Sequence, residues 1–312
     1  MSVIAAGTAT ETPVAPTRRG RRGVWRAILR NRKAMAGAIL FVLFCLLAAF
    51  PHLFVPWLHG DPQAVGTEPL QHPSSKHWLG TTGLGQDVYT ELIYSTRESL
   101  IIALVAGAGA TVLSVLIGVS AAYLGGGADD LLSMLTDIFL VLPTFPLIIV
   151  LATYAGKGSL SVIIVVLIVT GWSYGARQMR AQALSLRNRE FLESARVRGE
   201  RSSYIIIHEV LPTMTSLILA NFLGAALYAV LTAAGLQFLG LGDPNSLSWG
   251  TMLYWAQNQG ALVNGLPAWA LAPGLAVALL GVSFALLNYA FDEISNPALR
   301  PVRRRRVRSA HS

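Results

Sequence analysis

The stretch EFLESARVRGERSSYIIIHEVLP, residues 190–212, holds four Glu and three Arg in 23 residues, with Gly199 near its middle and Pro212 at its end. The chain around it is of the opposite character. Only 13% of the 312 residues are charged and 53% are hydrophobic, and the mean hydropathy is +0.53. The stretch sits between two charge-free runs, 158–176 and 210–242. Deciding why charge gathers there decides how the chain is arranged.

Working outward, further charge-free runs cover 34–60, 99–128, 138–156 and 244–291. A membrane-crossing helix needs roughly 20 predominantly apolar residues. The runs predict six spans at 34–56, 98–124, 130–155, 159–177, 211–238 and 269–291. They are continuous, whereas a membrane β-barrel reads as alternating segments of about ten residues. The fold class is therefore an all-α integral membrane protein with six transmembrane helices.

Lys and Arg orient the spans. Of 24 such residues, 21 lie before the first span, between 177 and 201, or after 299. Six spans put these three segments on one side, which the excess of positive charge marks as cytoplasmic. The turn at 125–130 lies on the same side but carries Asp129 and Asp130. The net charge of +8 is then explained by topology and by contact with anionic membrane lipid, with no nucleic-acid partner. The Arg pairs near residue 20 also suit an export signal. The apolar run continues to Trp57 without a small-residue cleavage site, so an uncleaved anchor is expected.

Other features are weighed one by one. Residues 1–17, rich in Ala, Thr and Pro, are expected to be disordered. Cys45, the single cysteine, lies inside the first span and reads as a packed apolar residue. His52, His59, His72 and His77 have spacings that match no compact metal motif. Gly80, Gly83 and Gly85 lack the GK[ST] and the preceding strand of a phosphate loop. Pro143 and Pro146 interrupt the third span, as either a packing kink or a deformable pathway-lining segment. Asp137, two turns into that span, is a pathway candidate because carboxylates are rare inside membranes; a snorkelling or helix-dipole role is the alternative. The segment 235–257, with Trp249, Tyr254 and Trp255, reads as an aromatic-anchored loop or interfacial helix on the outer face.

The opening stretch faces the cytoplasm on this topology. REFLESARVR is rich in helix formers. Glu190 and Glu193 precede Arg196 and Arg198, in the order that the helix dipole favours. Phe191 and Ala195, four apart, share a face. Gly199 suits the left-handed stop after the helix. Ser202 or Ser203 then caps a second helix, YIIIHEVL, which runs into the fifth span from Pro212 onward. The result is a lever for a cytoplasmic partner, or else a solvated loop that only sets topology.

ESARVRG followed by LP resembles the EAA loop of ABC-importer permeases, with Glu193, Ala195, Gly199, Leu211 and Pro212 at matching positions. Ser194 replaces an Ala, and Glu209 replaces an Ile. HWLGTTGLGQDVYTELIYSTRESL, residues 77–100, is similar to the segment before the second span in dipeptide/oligopeptide-type permeases, with Thr82 and Gln86 where Asp and Arg are common. AAGLQFLGLGDPNSLSWGTML and DEISNPALR resemble two further segments of that family, in the same order. The resemblance covers about residues 30–300 and looks like the C-type subunit.

The resemblance implies a type I ABC-importer permease fold: a basic segment 1–33, a first span 34–58, an outer loop 59–97, a permease core 98–291 with five spans and the EAA loop at 189–212, and a basic tail 292–312. It implies an ATP-driven importer, expected to carry peptides, with a B-type permease partner, two cytoplasmic ATPases and an extracytoplasmic binding protein. ATP and Mg belong to those ATPases. The EAA helix becomes a coupling helix, with Phe191, Glu193, Ala195, Arg196, Gly199, Leu211 and Pro212 as its coupling residues, and Glu209 expected to point away from the ATPase groove. Relatives carry nickel complexes, haem or sugars as alternatives. No Walker motif is present, so the chain reads as a transport subunit and not an enzyme. A secondary transporter would show internal repeats and paired broken helices, and no repeat is seen. A membrane-embedded enzyme would need catalytic sets within its spans.

Overall fold

A computed structural model describes residues 31–56, 61–154 and 159–295. The basic segment up to residue 30, His59, Lys157 and the tail from residue 296 lie outside the described residues. The described residues are helical apart from loops and one isolated bridge between Thr81 and Asp87.

The helices are α1 (Arg32–Ala49), α2 (Pro51–Phe54), α3 (Val88–Leu124), α4 (Gly126–Val141), α5 (Thr144–Tyr154), α6 (Leu160–Gly171), α7 (Ser173–Arg187), α8 (Glu190–Val197), α9 (Ser202–Ile205), α10 (Leu211–Thr213), α11 (Thr215–Phe238), α12 (Trp249–Asn258) and α13 (Pro267–Ser295). A π-helical turn, Ile206–Val210, joins α9 to α10. Four helices (α1, α3, α11 and residues 267–289 of α13) are long and apolar enough to cross a membrane, and six crossings result if each of two bent pairs counts as one.

Those bent pairs refine the expected third and fourth spans. Between α4 and α5 the chain turns by 90°. Pro143 causes it: a residue before proline is pushed out of the helical region, and Leu142 has ψ of 134°. Between α6 and α7 the bend is 42°. There the Ser114 hydroxyl of α3 lies 2.7 Å from the Trp172 carbonyl and 2.8 Å from that of Ala110, so the hinge carbonyl is satisfied inside the bundle. The first span breaks at Phe50, ahead of Pro51.

α3 is the hub. It packs against α1, α4, α6, α7, α11, α12 and α13. Its 37 residues rise about 55 Å at 1.5 Å each, longer than the roughly 30 Å hydrocarbon layer, so it projects from the membrane. Asp87 caps its start, accepting from the Thr90 N–H (2.9 Å) and hydroxyl (2.6 Å). Gly118 lets α7 approach, since a Cβ there would collide with the Ala176 carbonyl oxygen. On the opposite side α1 joins α13 through Ser283, whose hydroxyl donates to the Gly37 carbonyl (2.9 Å), and through the tilted Phe41–Phe284 pair.

The 235–257 segment differs from a surface aromatic anchor. Ser248 and Thr251 form a capping box that starts α12. Trp249 is then buried: its backbone N–H donates to Ser99 Oγ (3.1 Å), and its indole N–H to the Leu92 carbonyl (3.2 Å). The indole is core because α12 folds back onto α3, a long-range contact that local aromatic content does not encode.

We expect Gly118→Ala to lower the melting temperature of the detergent-purified protein, because overpacking a tight crossing costs about 1–3 kcal/mol. Gly127→Ala, where nothing lies within 4 Å of the added methyl, should leave it unchanged or raise it.

Candidate functional site

α8 begins after Arg189, whose side chain makes no cap; Glu190 and Glu193 occupy its first turn and Arg196 its last. It ends as its sequence suggests. Gly199 has φ of +77°, its N–H reaches the Arg196 carbonyl (2.9 Å), and the Glu200 N–H reaches that of Ala195 (3.2 Å). This pair of bonds is a Schellman stop. No atom lies within 4 Å of a Cβ built on Gly199, so the requirement there is conformational and not steric.

The inner face of α8 is Leu192 and Ala195, at 0% and 1% exposure. They enter a cluster with Val119 and Ala122 of α3, Met179, Ala183 and Leu186 of α7, and Ile205, Val210 and Met214 of the following segment. Phe191 does not share this buried face; it is 40% exposed, because Leu192 and Ala195, three apart, point inward together. Arg196 lies over the Tyr123 ring at 5.6 Å, tying α8 to the end of α3. The outer face is a shallow groove lined by Glu190, Glu193, Ser194, Val197 and Arg198, and Val197 is 84% exposed.

The segment after Gly199 is not the single helix expected. Ser202 and Ser203 fall inside α9, and the cap position is Arg201, without a side-chain bond. The helix widens to a π-turn over Ile206–Val210. Pro212 accounts for this, since it has no N–H to continue the ladder; the Leu211 N–H instead bonds five residues back, to Ile206. The Thr213 hydroxyl donates to the Glu209 carbonyl (2.7 Å), and that of Thr215 to the Pro212 carbonyl (2.8 Å). Leu211 is half-buried against the cluster, Pro212 is exposed and Glu209 is half-buried.

The acidic turn that ran against the charge bias is paired internally. Asp129 accepts a fork from Arg180 of α7, at 2.6 and 2.8 Å. Asp137 pairs with Arg177 at 2.6 Å, with both side chains about 60% exposed. These pairs strap α4 to α7. Asp137 lines an open groove on α4 and not the main cavity.

That cavity, about 530 Å³, lies where both bent pairs meet α11. Pro143 and Pro146 do not line it; Phe139, Leu140 and Thr144, on either side of the proline bend, do. Ser173, Gln178, Asn221, Tyr228 and Asn288 supply its polar surface, and no Asp, Glu, Lys or Arg is among its lining residues. The side-chain oxygens of Asn221 and Asn288 are buried without a hydrogen-bond partner among the described residues. The arrangement suits transient hydrogen bonds to a polar, uncharged group. Sequence reading missed these residues, together with Leu192 and Val197. The amides of Asn221 and Asn288 in otherwise apolar helices were the available signal.

Comparison with known proteins agrees with this geometry. A family described as "Binding-protein-dependent transport system inner membrane component" matches residues 114–300. One described as "N-terminal TM domain of oligopeptide transport permease C" matches residues 21–73. The oligopeptide transport system permease protein OppC of Mycobacterium tuberculosis H37Rv is 33% identical over 285 residues, 90% of this chain and 96% of that protein. The dipeptide transport system permease protein DppC of Alkalihalophilus pseudofirmus is 30% identical over 281 residues, 89% of this chain and 90% of its own. Among solved structures, a chain of the MetNI methionine ABC transporter in inward-facing conformations superposes with a TM-score of 0.53 at 20% identity, covering 67% of this chain and 97% of that one; it supports the fold.

Truncating Leu192 to Ala leaves a cavity under α8, which typically costs 2–5 kcal/mol at a fully buried leucine. Hydrogen exchange over residues 190–197 should accelerate strongly in Leu192→Ala and stay near wild type in Val197→Ala; equal protection in both would refute the anchoring.

Proposed function

The chain belongs to the inner-membrane components of binding-protein-dependent transport systems, and on that premise we propose that it is the C-type half of a peptide importer's pathway, driven through α8. It is a multi-pass membrane permease subunit of an ATP-driven importer and not an enzyme. Its relatives are named for oligopeptide and dipeptide transport. A cavity that mixes apolar residues with polar, uncharged side chains suits peptide backbones, whose amides are the feature shared by peptides of any sequence.

The observation that carries the coupling role is the two-sided nature of α8. Its inner face is fixed by Leu192 and Ala195 to the ends of α3 and α7. Its outer face leaves Glu190, Glu193, Ser194 and Val197 open to a partner. A partner that pulls α8 therefore moves the bundle ends with it. In this reading two ATPase subunits, which hold ATP and Mg, dock against that outer face. A B-type permease completes the pathway, and an extracytoplasmic binding protein delivers the peptide. Phe191, Glu193 and Val197 meet the ATPase. Ala195, Arg196 and Leu211 hold the helix to its own chain, Gly199 sets the turn, and Pro212 sets the π-turn ahead of α11. Glu209 faces away from the ATPase groove. Both termini are cytoplasmic, on the side of α8.

In the reconstituted transporter with its binding protein, Gly199→Asp should still insert in the membrane but lose substrate-stimulated ATP hydrolysis. Glu193→Ala should be milder, by about 1 kcal/mol or roughly fivefold, as befits one exposed polar contact. Stimulation that survives Gly199→Asp at the wild-type level would sink the coupling role. Mass spectrometry of the ligand retained by the copurifying binding protein tests the substrate: peptides are expected, and a nickel complex, haem or sugar would overturn that part.

A further inference from the structure

At the end of the bundle opposite α8, a second cavity of about 220 Å³ opens between the loop before α3, the loop before α12, and the starts of α3 and α13. Glu91, in the first turn of α3, lines it and is 6% exposed. Of the other polar side chains there, Thr82, Gln86 and Trp255 are engaged, whereas the buried indole N–H of Trp269 has no partner among the described residues. The Thr82 hydroxyl donates to Gln86 Oε1 (3.2 Å), and Gln86 Nε2 donates to the Gln63 carbonyl (2.7 Å). The Trp255 indole N–H donates to the Pro244 carbonyl (2.9 Å), which fixes that ring as a wall. Trp269, 1% exposed, is a second indole wall. The Glu91 carboxylate is buried and forms neither an ion pair nor a hydrogen bond with another described residue.

A buried carboxylate without a partner is costly, and the dipole at the start of α3 offsets only part of that cost. A cation in the cavity would offset more. The shape selects its kind. A bare metal ion prefers several oxygen ligands at short range, and no group of three or more metal-ligating His, Cys, Asp or Glu side chains occurs among the described residues. The volume exceeds the roughly 30 Å³ share of one water several-fold. Indole rings attract organic ammonium groups over their faces. We propose that this cavity is a binding site for a single organic ammonium group, with Glu91 as its counter-ion and Trp255 and Trp269 as its walls. The site is independent of the coupling role of α8, about 45 Å away along α3 at 1.5 Å per residue, so either reading can fail without the other.

The test uses the whole transporter in lipid nanodiscs and follows tryptophan emission during titration with ethylammonium chloride. A saturable change is expected with ethylammonium and not with ethanol or with sodium chloride at equal concentration, a comparison that needs no variant. Glu91→Gln should weaken the response at least tenfold, and Glu91→Asp less. No saturable response, an equal response to sodium, or an unaltered response in Glu91→Gln would overturn the proposal. Two further probes separate the sources of the ammonium. Response to dialanine but not to N-acetyl-dialanine supports the site and assigns it to the amino terminus of a peptide. Response to ethylammonium but to neither dipeptide supports the site and assigns it to a slender side-chain ammonium.

Discussion

Burial of Leu192 and Ala195 beneath the ends of α3 and α7 is the interaction on which the rest depends. A helix of eight residues is too short to be stable alone in water. Packing therefore decides whether α8 exists as a helix and where it points. Fully burying one leucine is worth about 1.5–3 kcal/mol, and Arg196 over Tyr123 adds a second tether. Because the same cluster includes Ile205, Val210 and Met214, α8, the π-turn and the base of α11 form one packed unit. The charged stretch is thus amphipathic in a strict sense: charge lies on the open face and a small apolar stripe on the other.

The broken helices follow a related logic. A proline or hinge inside a membrane frees carbonyls, which must be satisfied within the protein. Ser114 does this for Trp172, reaching across from α3. Residues on either side of both breaks border the main cavity, where polar side chains gather. The ion pairs Asp129–Arg180 and Asp137–Arg177 span from α4 to α7, which makes those two helices a unit at the end of the bundle nearer α8. The acidic turn that opposed the overall charge bias is thereby explained as a partner for α7 and not as a topology signal.

Much of this was readable in the sequence, and the parts that were not share a cause. Gly199 declared itself because a left-handed stop is a local property, encoded by one residue type. The six apolar runs did so because a membrane demands length and hydropathy. Phe191 was misplaced relative to Ala195 because helical spacing tells which residues are neighbours but not which way the shared face turns. Trp249 looked like a surface anchor until α12 folded back on α3, and the π-turn needed the hydrogen-bond ladder to be seen around Pro212. The polar cavity draws on four separated segments, so no window of sequence contains it. Asn221 and Asn288 were visible as amides in apolar helices, but only the fold brings them to one space.

The central claim is that α8 moves as one body with the bundle ends. Spin labels at Val197→Cys and Leu124→Cys, both exposed positions, in a Cys45→Ala background, allow their separation to be measured by pulsed electron resonance in the nucleotide-free and ATP-trapped transporter. The account predicts the same distance in both states, since the cluster between α8 and α3 stays packed while the whole unit shifts. A change on the scale of one helical turn, about 5 Å, would show α8 sliding over the end of α3 and would contradict it.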